Sequence, residues 1–446
     1  MRAAAFLIVL LACPPAAAAQ EGSAAGEWLD QALPGLVETY TALHRSPELS
    51  FQERETAAAL ARILTELGFE VETGIGGHGL AGLLRNGVGP TVLVRTDMDA
   101  LPIVEATGLP YASQVRARNE GGEETGVMHA CGHDVHMTVW LGTATFLARH
   151  RDLWHGTLLF VAQPAEERGA GARMMLADGL YERTARPDAA LALHVTEQLP
   201  AGTVGWRAGY ALANVDSVDL VVRGRGGHGS APHTTHDPIA LAARIVIGLQ
   251  HIVSREVKPI EDAVITVGSI HGGTKHNIIP DRVEMLLTVR SYRPEVREQV
   301  LAAIARTARY EALAAGFPEE LAPEVRVREE EHTPAAYNDP ALTKRVVTAL
   351  RRELGAERVR EVEPSMGGED FGRYAPAAGC PGFLFWLGTT PPERLAAAAR
   401  DGEPVPGLHT ARFAPDPGPT IRGGVAAMTA AVLDLMGTGA GPKKKS

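Results

Sequence analysis

"TVLVRTDMDALP", residues 91–102, carries the reading of the fold. Val92, Leu93 and Val94 are apolar at successive rather than alternate positions. A strand buried on both faces shows this pattern, as the strands of parallel sheets do. The run predicts a strand over 91–95 with Asp97 and Asp99 just past its end. Runs of the same kind stand at 80–84, 158–162 and 189–193, each bounded by Gly, Pro or charge. Helical spacing separates them, at Leu60, Ile63, Leu64 and Leu67 over 55–70, and again over 137–150 and 172–180. Buried strands alternating with helices predict an α/β domain with a mostly parallel sheet.

From residue 215 the texture changes. Val218, Leu220 and Val222 alternate with polar positions, as in a strand with one wet face. Asp237-Pro238 supplies an N-cap and a first-turn proline for a helix to 257. Strand-like segments at 263–270 and 282–292, a helix over 294–315 and a strand at 324–328 complete a β-α-β-β-α-β order. The expected organisation is a main domain from 20–214 and 332–436, interrupted by a small α+β domain over 215–331. Residues 116–126 read as a surface hairpin.

The ends read differently. Arg2, the apolar run from Phe6 to Leu11 and Ala17-Ala18-Ala19 have the form of a secretory signal peptide over 1–19. A lipoprotein signal at Cys13 is the alternative; Leu11 and Pro14 fit it poorly. Residues 437–446 read as a disordered tail. The chain has 446 residues, 45% hydrophobic and 22% charged, with a net charge of −10. That balance leaves no broad basic surface for nucleic acid, and no segment reads as a membrane span. With Cys13 in the signal, Cys131 and Cys380 are too few for a disulfide framework.

Polar clusters stand where the strands end. Asp97 and Asp99 follow the first. "QPAEE" (163–167) places Glu166 and Glu167 after another, and "LALHV" (191–195) places His194 at the end of a third. "MHACGHD" (128–134) holds Cys131 and His133 in a loop entering a helix, and "GLHTARF" (407–413) adds His409. Parallel sheets bind ligands at the carboxyl ends of their strands, so these groups can converge. Each also has a purely structural reading: a lone buried thiol, a core histidine, a glutamate pair at a solvated helix start. Closely spaced cysteine pairs, the mark of structural zinc, are absent. Cys, His and Glu drawn from distant positions suit an open site, and more than four candidate ligands suggest two ions. Ser230 in "GHGSAP" lacks the context of a nucleophile elbow.

Taken in order, "LHRSPELSFQE" (43–53), "DMDALPI" (97–103), "MHACGHD", "QPAEE", "ALHV" (192–195), "GGHGSAPH" (226–233), "HNIIP" (276–280), "GGEDF" (367–371) and "LHTARF" (408–413) resemble a known family. It is the co-catalytic metallopeptidase family of hippurate hydrolases, N-acyl-amino-acid amidohydrolases and plant indole-acetyl-amino-acid hydrolases, with aminoacylases and carboxypeptidases as more distant relatives. The resemblance runs from about Trp28 to Met436. It implies a two-metal catalytic domain, 20–214 with 332–436, and an inserted lid and dimerisation domain, 215–331.

Carried over by position, the resemblance implies that Cys131 bridges two metals. Glu167 and His409 would complete one, His133 and His194 the other. Glu166 would be the general base and Asp97 the carboxylate that orients a histidine ligand. His228 resembles a histidine that stabilises the oxyanion in the partner subunit's site. Asn277 and Arg290 resemble residues holding the substrate's carboxylate, with Gly367 and Gly368 lining the pocket. The resemblance further implies a homodimer and manganese; the donor types suit zinc, and admit cobalt or nickel. In two respects the chain departs from the pattern. Arg95 stands where peptidase relatives have a histidine ligand, and 116–126 is an insertion beside the metal loop. His129 and His136 read as supporting rather than ligating. The expected activity is hydrolysis of the amide of an N-acyl amino acid, or of a dipeptide, by an exported enzyme. A metal- or ligand-binding protein without turnover is the remaining alternative.

Overall fold

The computed structural model describes residues 24–437. The expected signal peptide and nearly all of the expected tail lie outside them, as does Cys13. An eight-stranded sheet forms the centre. In spatial order its strands are Glu70–Ile75, Gly79–Asn86, Gly156–Gln163, Thr91–Asp97, Ala189–Pro200, Gly382–Thr390, Val204–Trp206 and Val359–Glu361. The four in the middle, from Gly156–Gln163 to Gly382–Thr390, run parallel. Gly79–Asn86 joins them antiparallel.

Thr91–Asp97 shows why a continuous apolar run was needed. Val92 and Val94 pack into a core beneath the helices Ala24–Arg45, His133–Arg149 and Pro417–Met436. Leu93 points the other way, into a second core with Met175, Tyr181 and Tyr374. The period of two then puts Arg95 and Asp97 on the same face as Leu93. One strand thus buries both faces and delivers polar groups at its carboxyl end.

A second sheet, Ala263–Gly272, Arg282–Ser291, Asn214–Arg223 and Glu324–Val327 in that order, is antiparallel throughout. The helices Pro238–His251 and Pro294–Ala314 cover one face, and Val218, Leu220 and Val222 meet them in a third core. Asp237 caps the first helix through Ile239 N and Ala240 N. The fold class is therefore the one expected: a mostly parallel α/β domain carrying an inserted β-α-β-β-α-β unit. The hairpin is present too, as Arg116–Arg118 paired with Glu124–Gly126.

One strand is longer than its apolar run. Ala189–Pro200 continues past His194, because Thr196 and Pro200 still pair with Gly388 and Thr390. His194 sits within the strand, beside Val195, the last residue before its burial ends. No helix among the described residues is long and apolar enough to cross a membrane.

Candidate metal centre

Gly132 starts the metal loop's helix. It holds φ 76°, and a Cβ there would meet Val195 Cγ2 at 2.5 Å. Only glycine fits both conditions, and His133 becomes the first residue of the helix His133–Arg149.

The expected ligands meet. Potential donor atoms of Cys131, His133 and His194 lie within 4.8 Å of one another, and so do those of Cys131, Glu167 and His409. Cys131 is common to both groups. Its Sγ is 3.5 Å from His194 Nε2 and 3.2 Å from His409 Nε2. His409 Nε2 is 3.4 Å from Glu167 Oε2, and His133 Nε2 is 3.9 Å from Glu167 Oε1.

Two of the imidazoles, His133 and His194, are each turned by a bond on the far side. His133 Nδ1 donates to the Asp99 carbonyl at 2.8 Å, and His194 Nδ1 donates to the Val195 carbonyl at 2.8 Å. Both Nε2 lone pairs then face the thiol. His136 is oriented oppositely. Its Nδ1 donates to Asp97 Oδ1 at 2.7 Å, and its Nε2 accepts from Val195 N at 2.9 Å. Neither nitrogen is left for an ion. His129 is buried with both nitrogens unpartnered.

These donors fit a metal by more than proximity. His133 Nε2 and Glu167 Oε1 are buried without a hydrogen-bond partner. An orphaned lone pair of this kind is costly unless something absent from the protein satisfies it. Charge agrees. Burial, reinforced by the Glu167 charge, pushes the Cys131 thiol well above its ordinary range. Burial raises Glu166 well above the carboxylate range, aided by Glu369 and Glu167, and raises Glu167 to about 7. Burial works against a proton on His133, but Asp97 and Asp99 outweigh it and hold its pKa well above ordinary. Burial above all keeps protons on Cys131 and Glu167, and divalent ions replace such protons.

Beneath the cluster lies a salt-bridge network that sequence reasoning did not assign. Buried Arg95 contacts Asp97 at 2.7 Å, Glu369 at 2.9 Å and Asp370 at 3.2 Å, while Gln163 accepts from its Nε at 3.0 Å. From the sequence Arg95 reads only as a residue unable to ligate. The acidic pair of "GGEDF" was its partner in plain view, but nothing in either motif names the other.

A cleft of about 1110 Å³ opens on the cluster. Cys131, Glu166, Glu167, His194 and His409 line it, and Arg290, Gly367 and Gly368 line it too. Arg290 Nη1 donates to the Met366 carbonyl at 3.1 Å, fixing the guanidinium beside the glycines. His228 and Asn277 are exposed and do not line this cleft. They lie together instead, with Gly229 N donating to the Asn277 carbonyl at 2.9 Å.

Fold and site together define a metal-dependent hydrolase with an open, carboxylate-rich centre. The chain belongs to Peptidase family M20/M25/M40, whose model matches residues 93–401. It is 38% identical to the N-acetylcysteine deacetylase of Bacillus subtilis over 353 residues, 78% of this chain and 86% of that protein. It is 37% identical to thermostable carboxypeptidase 2 of Saccharolobus solfataricus over 356 residues, 78% and 84% of the two chains. The solved structure of Bacillus subtilis YXEP, described as a dinuclear metal binding peptidase of the M20 family, superposes with a TM-score of 0.72 at 32% identity. It covers 91% of this chain and 99% of that one.

Proposed function

We propose that the protein hydrolyses the amide bond of N-acyl amino acids of the hippurate type. The observation that carries the reading is one cleft lined by Glu166, the Cys131-centred donors and the Arg290 guanidinium. Such a cleft suits a substrate with a scissile amide at one end and a free carboxylate at the other.

Cys131 would be shared between two divalent ions, manganese or zinc, with cobalt and nickel compatible with the donors. Glu167 and His409 would complete one, and His133 and His194 the other. Bound there, the ions would polarise the scissile carbonyl and bring the pKa of bound water to about 7. Glu166, its carboxyl 3.8 Å from His133 Nε2 and ligating nothing in this scheme, takes the proton from the attacking water. It later returns that proton to the leaving nitrogen. Arg290 binds the substrate carboxylate by a two-point contact, with the Gly367 and Gly368 backbone alongside. Asp97 holds His136 and Arg95 beneath the ligands.

His228 and Asn277 act, in this reading, on the partner subunit's cleft within a homodimer: His228 on the oxyanion, Asn277 on the carboxylate. Export through residues 1–19 is part of the same proposal; mature protein beginning at Gln20 in the extracytoplasmic fraction is its test. The decisive assay presents benzoyl-glycine, other N-acyl amino acids and dipeptides to protein reconstituted with single metals, with and without chelator. Chelator-sensitive release of the amino acid from blocked substrates is expected. Cleavage of dipeptides alone would replace the amidohydrolase reading with a peptidase one.

A further inference from the structure

Two carboxylates unused by this chemistry grip the backbone on either side of Glu166. Glu53 is fully buried, and its Oε1 accepts from Ala165 N at 2.8 Å and from Phe51 N at 2.9 Å. Asp99 Oδ2 accepts from Glu167 N at 3.0 Å and from Ser50 Oγ at 2.7 Å. The gripped peptide is unusual. Ala165 holds φ 48°, and Phe51 holds φ 68°.

A non-glycine residue in this left-handed region is strained, so the turn persists only where its surroundings hold it. The Ala165 carbonyl is held as well, accepting from Ala170 N and Gly171 N at 3.2 Å each. Glu53 stands at the N-cap of the helix Arg54–Glu66, yet its side chain makes no capping bond there. Its carboxylate is committed 112 residues away in the chain, at the turn from which Glu166 projects.

We propose that Glu53 is a positioning residue for Glu166: its carboxylate locks the left-handed Ala165 peptide and thereby aims the neighbouring carboxyl. This rests on the reading of Glu166 as general base. Without the acceptor, the buried Ala165 N–H is unpaired and the turn can relax to negative φ, swinging Glu166 while the ligands stay in place. Glu53→Gln keeps the acceptor oxygen, and Ala165→Gly removes the strain.

The test measures kcat, KM and bound metal on the metal-loaded protein. Glu53→Ala is expected to lower kcat about 100-fold, the cost of misplacing a reacting group by about 1 Å, with KM and metal content retained. Glu53→Gln should hold kcat within about threefold of wild type, and Glu53→Ala with Ala165→Gly should recover about tenfold. Unchanged kcat in Glu53→Ala, loss only in proportion to lost metal, or no recovery on adding Ala165→Gly would overturn the role. If the alanine variant does not fold, Ala165→Val attacks the same turn from its other partner, because a β-branched residue resists positive φ. It should lower kcat with metal retained, and full kcat would again overturn the proposal. Glu166→Ala run alongside separates the two readings. A fully active Glu166→Ala removes the base and this role with it. An inactive Glu166→Ala beside a fully active Glu53→Ala removes the positioning role alone.

Discussion

Val195 donates its backbone N–H to His136 Nε2 at 2.9 Å, while the next residue back, His194, turns its own Nε2 to Cys131 at 3.5 Å. Two adjacent strand residues thus sort the histidines of the centre, one occupying an imidazole and the other supplying one. Asp97 accepts a hydrogen bond from His136 Nδ1–H, and burial holds the His136 pKa down to about 4, so that ring is neutral and engaged at both nitrogens.

Metal content should divide along the same line. Cys131→Ala removes the one donor common to both groups and is expected to reduce bound metal from about two equivalents to one or none. His136→Gln is expected to keep both equivalents, with affinity weakened at most about 10–100-fold through Asp97. Elemental analysis after dialysis reads both variants. Unchanged stoichiometry in Cys131→Ala would refute its shared role.

Glu166→Ala is expected to lower kcat by about 10²–10⁴-fold, the usual worth of a positioned general base, with metal content intact. Turnover and elemental analysis on one preparation distinguish this from simple loss of ions. Full activity would remove Glu166 from the chemistry.

How much of this was legible depended on the range of the interaction. The buried sheet was, because burial on two faces writes itself locally into 91–95 and its three companions, although 80–84 pairs antiparallel. The gathering of Asp97, Glu166 and Glu167 was, because strand ends are marked by the change from apolar to polar residues; the ligand roles proposed for Cys131, His133, Glu167, His194 and His409 came only with the family resemblance. The Arg95 network was not. Its partners Glu369 and Asp370 lie 274 and 275 residues away, and no periodicity records which distant carboxylates will share a buried guanidinium. Glu53 was hidden for the same reason, at a helix start where a glutamate is ordinary. The strand 189–200 reaches further than its apolar run because its last residues are mostly half-buried yet still paired.

Arg95→Leu should be severely destabilising. It would leave Asp97, Glu369 and Asp370 facing one another with no cation, and breaking a buried ion pair from one side costs about 3–5 kcal/mol. Burial already raises Asp370 to about 7, against the pull of Arg95. Arg95→Leu with Asp370→Asn should therefore regain part of the loss, since one of the stranded charges is gone. Denaturant unfolding of wild type, both single variants and the double closes the cycle. Strict additivity would show that Arg95 and Asp370 are not coupled.

His44 predicts a pH dependence. It is buried, 2.6 Å from Asp134 and 3.2 Å from Glu105, with Tyr40 and Tyr111 packed on its ring. Burial opposes its protonation, but the bonds to Asp134 and Glu105 outweigh this and raise its pKa from 6.5 to about 10. Between those values the folded chain keeps a proton that the unfolded chain releases, so stability falls as pH rises. The contribution is complete below 6.5 and gone above about 10. His44→Gln leaves both carboxylates without their cation and should cost about 3–5 kcal/mol near pH 6. That deficit should shrink steadily toward pH 10, where the wild type has lost the same charge. Urea unfolding of both proteins across this window measures it. A deficit that stays constant with pH would mean that His44 is neutral in the folded protein.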